Sequence, residues 1–234
     1  MTPPLETPRL WLRALELADA EQAQPLFAQW EVVRYLTNQV AWPFPSDGVY
    51  NYYRDVALPA AERGDAWHWT LRLKSDPDRL VGCISLVKGE EINRGFWLGS
   101  PWHGQGLMTE ACDAGTDYWF ETLGFPLLRV PKAAANTASR RISERQGMRI
   151  VETKESEYVS GRLPTEVWRS RQRNGGRERG GRRDEGLSGK TPLDQPATLG
   201  SWSSNGIRPK RLGIYASTKS RFRRLLACLA IPSA

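Results

Sequence analysis

The stretch Gly95-Phe-Trp-Leu-Gly-Ser-Pro-Trp-His-Gly-Gln-Gly-Leu-Met-Thr-Glu-Ala111 decides the fold. It reads as a strand, a glycine loop and the start of a helix. From Leu107 the apolar positions Leu107, Ala111, Ala114 and Tyr118 recur at steps of 4, 3 and 4, which is one face of a helix. Amides of the loop and of the first helical turn have no intrahelical acceptor and carry the positive end of the helix dipole. That arrangement binds phosphate. Glycine at 104 and 106 lets a diphosphate approach those amides, where a side chain would stand in the way.

Two nucleotide folds are disfavoured by what the loop lacks. Gly99 and Gly104 have the spacing of a Walker loop, but Gln105 stands where its lysine belongs. Thr109 stands where a dinucleotide fingerprint needs a third Gly or Ala, and the loop follows a meander rather than an early β-α-β unit. Taken alone, the loop also reads as a plain turn joining strand to helix.

Upstream, Trp67, Trp69, Leu71 and Leu73 alternate with His68, Thr70 and Arg72, a strand that places His68 on the polar, surface side. A turn over 75–78, a strand from Leu80 to Val87 and a third ending near Leu98 make an antiparallel meander. Before it, Arg9 to Leu15 alternates as a strand, and Asp19 caps a helix with Ala20, Ala23, Leu26 and Phe27 on its apolar face. Residues 30–64 are rich in aromatic rings and include a helix from Ser46 to Ala61; the rings line a pocket or form ordinary core. Downstream, a helix from Gly104 to Thr122 ends at Gly124, and a strand covers Leu127 to Pro131. Asn136 caps a helix that stops at Gly147, and strands at Arg149–Glu155 and Pro164–Arg169 close the domain. The fold class is α/β (α+β).

Of the 234 residues 40% are apolar and 25% charged, a globular profile, and the net charge of +7 is unevenly placed. Residues 1–170 carry 19 Lys+Arg against 22 Asp+Glu, whereas residues 171–234 carry 14 against 4. The chain therefore divides into a domain over 1–172 and a basic low-complexity tail over 173–234, expected to be disordered. The tail is an arm for RNA or a membrane surface, or an extension without function. Cys83, Cys112 and Cys228 are far apart and His68 and His103 are the two histidines, a pattern that argues against a zinc site or a disulfide framework. No run approaches the ~20 apolar residues of a membrane span, so a cytoplasmic location without a membrane partner is expected.

Pro101-Trp-His-Gly104-Gln-Gly106 resembles the acetyl-CoA loop Q/R-x-x-G-x-G/A of the GNAT superfamily of N-acetyltransferases, departing at Pro101. Extended to Ala111, it looks like the ribosomal-protein N-terminal (alanine) acetyltransferase branch. Asn136-Thr-Ala-Ser139, with Ser143-Glu-Arg-Gln-Gly147-Met148, is similar to that branch's N-x-x-S and E-K-x-G-F/M element, and Thr7-Pro-Arg-Leu-Trp-Leu-Arg13 resembles its first strand. The three matches fall in the family's order across residues 5 to about 172.

The resemblance implies a mostly antiparallel central sheet flanked by helices, with the strand ending at Leu98 and the one starting at Leu127 splayed around the pantetheine arm of acetyl-CoA, the cosubstrate. Main-chain groups of Trp97, Leu98 and Gly99 would pair with pantetheine amides. His103, Gly104, Gln105, Gly106, Leu107, Met108 and Thr109 would hold the pyrophosphate. Asn136 would reach the pantetheine arm, or serve as a helix cap alone. Lys132, Arg140 and Arg141 are candidates for the 3'-phosphate of CoA. Many relatives place a glutamate base two residues before Gly95 and a tyrosine acid seven after the capping asparagine; here those positions are Asn93 and Ser143. Ser139 is then the candidate acid and Glu91 the candidate base, with a water chain as substitute, while Glu110 reads as a complement to the helix dipole.

An α-amine of pKa ~8 needs roughly 3 kcal/mol less deprotonation work at pH 7 than a lysine of ~10.4. A missing base therefore points to a protein N-terminal α-amine as acceptor. A small-molecule amine, or an acyl-CoA-binding module without catalysis, are the alternatives. Nucleic acid enters only through the tail, and the reading leaves room for a homodimer.

Overall fold

In a computed structural model of the protein, which describes residues 2–171, the expected meander forms one five-stranded antiparallel sheet. Its strands are β1 (Leu5–Glu6), β2 (Leu10–Ala14), β3 (Ala66–Leu73), β4 (Asp76–Val87) and β5 (Arg94–Leu98), in that spatial order. Between β2 and β3 run α1 (Asp19–Phe27), α2 (Trp30–Val33), α3 (Gly48–Tyr52) and α4 (Leu58–Glu62), the last two joined by a π-helical turn at Tyr53–Ala57. After β5 come a 3-10 turn (Ser100–Trp102), α5 (Leu107–Asp117), a π-helical turn (Tyr118–Thr122), β6 (Leu127–Ala133) and α6 (Thr137–Arg145). The hairpin of β7 (Arg149–Tyr158) and β8 (Gly161–Arg171) completes a second sheet of order β6-β8-β7. The tail expectation for 173–234 lies outside the described residues.

The five-stranded sheet is covered on both faces. Leu10, Trp69, Leu71 and Ile84 pack with Leu107 and Ala111 of α5 on one side. Ala23, Phe27, Val49 and Tyr53 pack with Cys83 and Trp97 on the other. This second layer corrects the placement of His68, which is 4% exposed rather than on the surface. β3 is the middle strand, so its polar alternation faces α1 to α4 instead of water. The strip is internally paired: His68 Nδ1 lies 2.7 Å from Ser85 Oγ, and Arg72 donates to Asp19 Oδ1 at 2.6 Å. Burial pushes the His68 imidazole down to about 4.

Other differences follow from turn chemistry. The β3–β4 turn is at Lys74-Ser75, with Pro77 already inside β4 where the register is irregular. The helix after the glycine loop starts at Leu107 because Gly106, at φ +76°, occupies its N-cap position in the left-handed region. The aromatic segment splits: Tyr53 is core, Tyr35 is half-buried, and Trp30, Trp42 and Tyr50 are exposed.

The two sheets meet at Asn93. Its backbone N–H donates to Arg129 O at 2.8 Å and its Oδ1 accepts from Arg129 N at 2.7 Å, while Nδ2 donates to Gly89 O at 2.7 Å and Val87 O at 3.3 Å. One buried side chain thus ties β5 to β6 at the base, and above it the two strands belong to separate sheets.

Candidate active site

A cleft of about 350 Å³ lies where the strands separate. Phe96, Trp97 and Leu98 of β5 form one wall, and Asn136, Ala138, Ser139, Arg141, Ile142 and Arg145 form the other. His103, Gly104, Gly106 and the first turn of α5 close one end, and Glu31, Val32, Arg34 and Tyr35 around α2 stand at its edge. Both α5 and α6 therefore point their N-termini at the same space.

The loop is open to a ligand. Gly104 and Gly106 have φ of +74° and +76°, a region that L-residues rarely adopt. Among the described residues, a Cβ on Gly104 would meet nothing within 4 Å, and one on Gly106 only Arg9 Nη2 at 3.5 Å, so the space over Gly104 is vacant and that over Gly106 is bounded by one long side chain. The first helical bond of α5 runs from Glu110 N to Gly106 O at 3.1 Å, which leaves the amides of Leu107, Met108 and Thr109 without an intrahelical acceptor. These donors, the two glycines and the adjacent Arg141 and Arg145 fit a diphosphate-bearing ligand.

The strand wall corrects the expected main-chain partners. Gly99 N donates to Val81 O at 2.9 Å, and Leu98 pairs with Gly82, so Gly95, Trp97 and Gly99 turn their backbone groups toward β4. Phe96 and Leu98 turn theirs into the cleft. Gly99, whose carbonyl accepts from Trp102 N at 3.0 Å, is fully engaged and does not line the space. Strand period alone would have named Phe96 once Leu98 was chosen. His103 Nε2 lies 2.7 Å from Leu98 O and fixes the loop against the strand end.

Gln105 points its side chain back to Pro101 O at 3.0 Å, and its backbone carbonyl accepts from Arg9 Nη1 at 2.9 Å. Glu110 does more than complement a dipole: it accepts from Thr7 Oγ1 at 2.5 Å and from Arg9 N and Nε, both at 2.7 Å. Burial pushes its carboxyl up, but these bonds outweigh that effect and hold it below its ordinary value. The segment Thr7-Pro-Arg9 is thus a clamp on the loop, a contact across about a hundred residues that no local pattern encodes.

Asn136 caps α6, its Oδ1 accepting from Ser139 N at 3.1 Å. The Ser139 hydroxyl itself has no hydrogen-bond partner among the described residues, and Ser139 lines the cleft. Glu91 lies elsewhere: it borders a separate hollow of about 240 Å³ with Glu90, Arg129, Glu152 and Lys154. The structure brings Ser139 and the glycine loop together and leaves Glu91 outside, whereas Glu31 is the carboxylate that lines the cleft. Of the basic candidates, Arg141 lines it, Arg140 is paired to Glu166 at 2.9 Å, and Lys132 is 4% exposed and bonded internally. Arg145, a further lining residue, went unread in the sequence because charge at the end of a helix is ordinary.

A family model described as an acetyltransferase (GNAT) domain matches residues 9–149. The chain belongs to the GNAT acetyltransferase family. Among curated relatives, "Putative ribosomal N-acetyltransferase YdaF" of Bacillus subtilis is 32% identical over 87 residues, 35% of this chain and 48% of that protein. "Probable N-acetyltransferase YjcK" of the same organism is 31% identical over 91 residues, 37% and 50% of the two chains. The chain spans about half the length of the curated relatives it matches. RimL, a ribosomal alpha-N-protein acetyltransferase solved in complex with coenzyme A, superposes with a TM-score of 0.62 at 15% identity, covering 72% of this chain and 98% of that one. A GNAT acetyltransferase from Bacillus anthracis gives 0.62 at 19%, covering 73% and 99%. At these identities the structural likeness establishes the GNAT fold.

Proposed function

We propose that the protein is an acetyl-CoA-dependent N-acetyltransferase whose acceptor is a protein N-terminal α-amine. The observation that carries this reading is the convergence of the vacant glycine loop, the unpaired α5 amides and the outward backbone of Phe96 and Leu98 on one cleft. Family membership and the ribosomal-protein acetyltransferases among the similar proteins support it.

When bound, acetyl-CoA supplies an activated thioester. Gly104, Gly106 and the amides of Leu107 to Thr109 take the diphosphate charge, with Arg141 and Arg145 as neighbouring cations. The backbone groups of Phe96 and the amide of Leu98, whose carbonyl is taken by His103, pair with the amide-bearing arm. Asn136 holds the first turn of α6 in place, and the Ser139 hydroxyl, free of protein partners among the described residues, is the proton donor for the departing thiolate. The acceptor enters by α2, where Glu31 offers a negative charge to an incoming ammonium. With Asn93 fully engaged between the sheets and Glu91 in another hollow, the reaction relies on an amine that is partly neutral at pH 7, which an α-amine is and a lysine is not.

Calorimetry of acetyl-CoA on wild type and Gly104→Glu tests the loop. A left-handed residue carrying a carboxylate in an anion cradle should weaken binding by at least about tenfold; equal affinity removes the loop from the reading. Labelled acetyl-CoA offered with peptide N-termini and with lysine side chains tests the acceptor, and comparable turnover of both contradicts an α-amine preference. The engagement of Asn93 also favours a second reading, an acyl-CoA-binding module, whose signature is tight binding with transfer to neither acceptor nor to small amines.

A further inference from the structure

Beneath the cleft, two cations are buried without an ion pair among the described residues. Arg94 of β5 is 2% exposed and donates to Thr116 Oγ1 at 2.7 Å and to Gln146 Oε1 at 2.8 Å, bridging α5 and the end of α6. Lys132 of β6 is 4% exposed, and its ammonium donates to Ser139 O at 2.8 Å and Ser143 Oγ at 2.5 Å. The Trp168 ring lies 5.7 Å from the same nitrogen. Burying an ammonium with only a carbonyl, a hydroxyl and a ring for company costs stability that a methionine would not. The placement is specific: the carbonyl it holds belongs to Ser139, the residue that presents its hydroxyl to the cleft.

We propose that Lys132 is a positioning residue of the acetyl transfer, bracketing the first two turns of α6 through Ser139 and Ser143 so that the Ser139 hydroxyl faces the departing thiolate. The inference rests on the acetyl-transfer reading of the cleft. Charge is part of the device. An ammonium behind the N-terminal half of α6 adds to the positive potential of that helix end, where negative charge grows as the thiolate leaves. The neutral amine can still donate to Ser139 O while Ser143 turns its hydroxyl to donate to Nζ, so deprotonation removes the charge and keeps the bracket.

The groups facing Lys132 are Arg94 from β5, Cys112 from α5, Glu144 from α6 and Glu166 from β8, the last paired to Arg140. Burial, then the charge of Arg94, pushes the ammonium down to about 7 against the opposing pull of Cys112, Glu166 and Glu144. Its contribution should therefore vary across the neutral range.

The test is kcat as a function of pH, read by CoA release at saturating acetyl-CoA and peptide amine, for wild type, Lys132→Met and Lys132→Arg. The ratio of wild type to Lys132→Met should be about tenfold below pH 6, an order less than the loss of a donor in direct contact with developing charge. It should fall to a smaller residual value above pH 8, where wild type has lost the charge but keeps the bracket that methionine lacks, with the KM for acetyl-CoA unchanged. Lys132→Arg should match wild type at low pH and exceed it at high pH. Should Lys132→Met not fold, Ser143→Ala gives the second reading: loss of an acceptor disfavours the charged form, so the break in the kcat profile should move to lower pH. A ratio that is flat with pH, an effect confined to KM, or an unmoved break in Ser143→Ala overturns the inference while leaving the enzyme reading intact. Absence of CoA release by wild type with any acceptor overturns the enzyme reading instead.

Discussion

Lys132 carries a thermodynamic signature independent of turnover. Its ordinary pKa of ~10.4 in an unfolded chain drops to about 7 in the folded one, so between these values the unfolded state binds more protons and stability rises with pH. Below pH 7 the full penalty applies. Lys132→Met should therefore be more stable than wild type by up to roughly 4 kcal/mol at pH 6, with the gap closing toward pH 10. Urea midpoints across that range check it, and a gap independent of pH contradicts a buried, shifted ammonium. The lysine is partly legible in sequence: Leu128, Val130 and Lys132 share the period-two face of β6. As a formally charged residue near a strand end, it reads first as solvated. Glu91 fails for the converse reason, since closeness in sequence to Gly95 says nothing about which side of the Asn93 junction it occupies.

At the scale of elements, the glycine loop and α5 announce themselves because positive-φ glycines and a 3.6-residue period are local signals. What fixes the loop is not local. Arg9→Ala removes the bonds from its guanidinium to Glu110 and to the Gln105 carbonyl. The loop should then sample other conformations, raising the KM for acetyl-CoA about tenfold while kcat at saturation stays within about twofold; an unchanged KM would show that the loop holds its shape unaided. β3 illustrates a different gap. Alternation tells which residues share a face, but the covering of its polar face by α1 to α4 is a tertiary fact. His68 records that burial. With a folded pKa of about 4 against ~6.5 unfolded, its neutral form is favoured in the fold, so stability falls as pH drops from 6.5 to 4, by up to roughly 3 kcal/mol. His68→Gln should lose that part of the acid sensitivity, read as a shallower slope of urea midpoint against pH than wild type.

For the molecule as a whole, the architecture is two antiparallel sheets pinned together by one asparagine, with helix N-termini gathered above the pin. The meander strands, α5 and the Asn136 cap were legible because each rests on local periodicity and turn chemistry, whereas Asp19 is the first residue inside α1 rather than its cap, its carboxylate accepting from Glu16 N at 2.9 Å. The junction was not, since Asn93 looks like a lost catalytic group until its five bonds to Val87, Gly89 and Arg129 are seen. Beyond that junction β5 is an unfinished edge: bonded to β4 along one side, it presents Phe96 and Leu98 with amides that no other strand covers among the described residues. A ligand lying there acts as a surrogate strand. Hydrogen–deuterium exchange at Phe96 and Leu98 should be fast in the free protein and slow markedly with acetyl-CoA, but not with adenosine 3',5'-bisphosphate, which lacks the arm, while the Asn93 amide stays protected throughout.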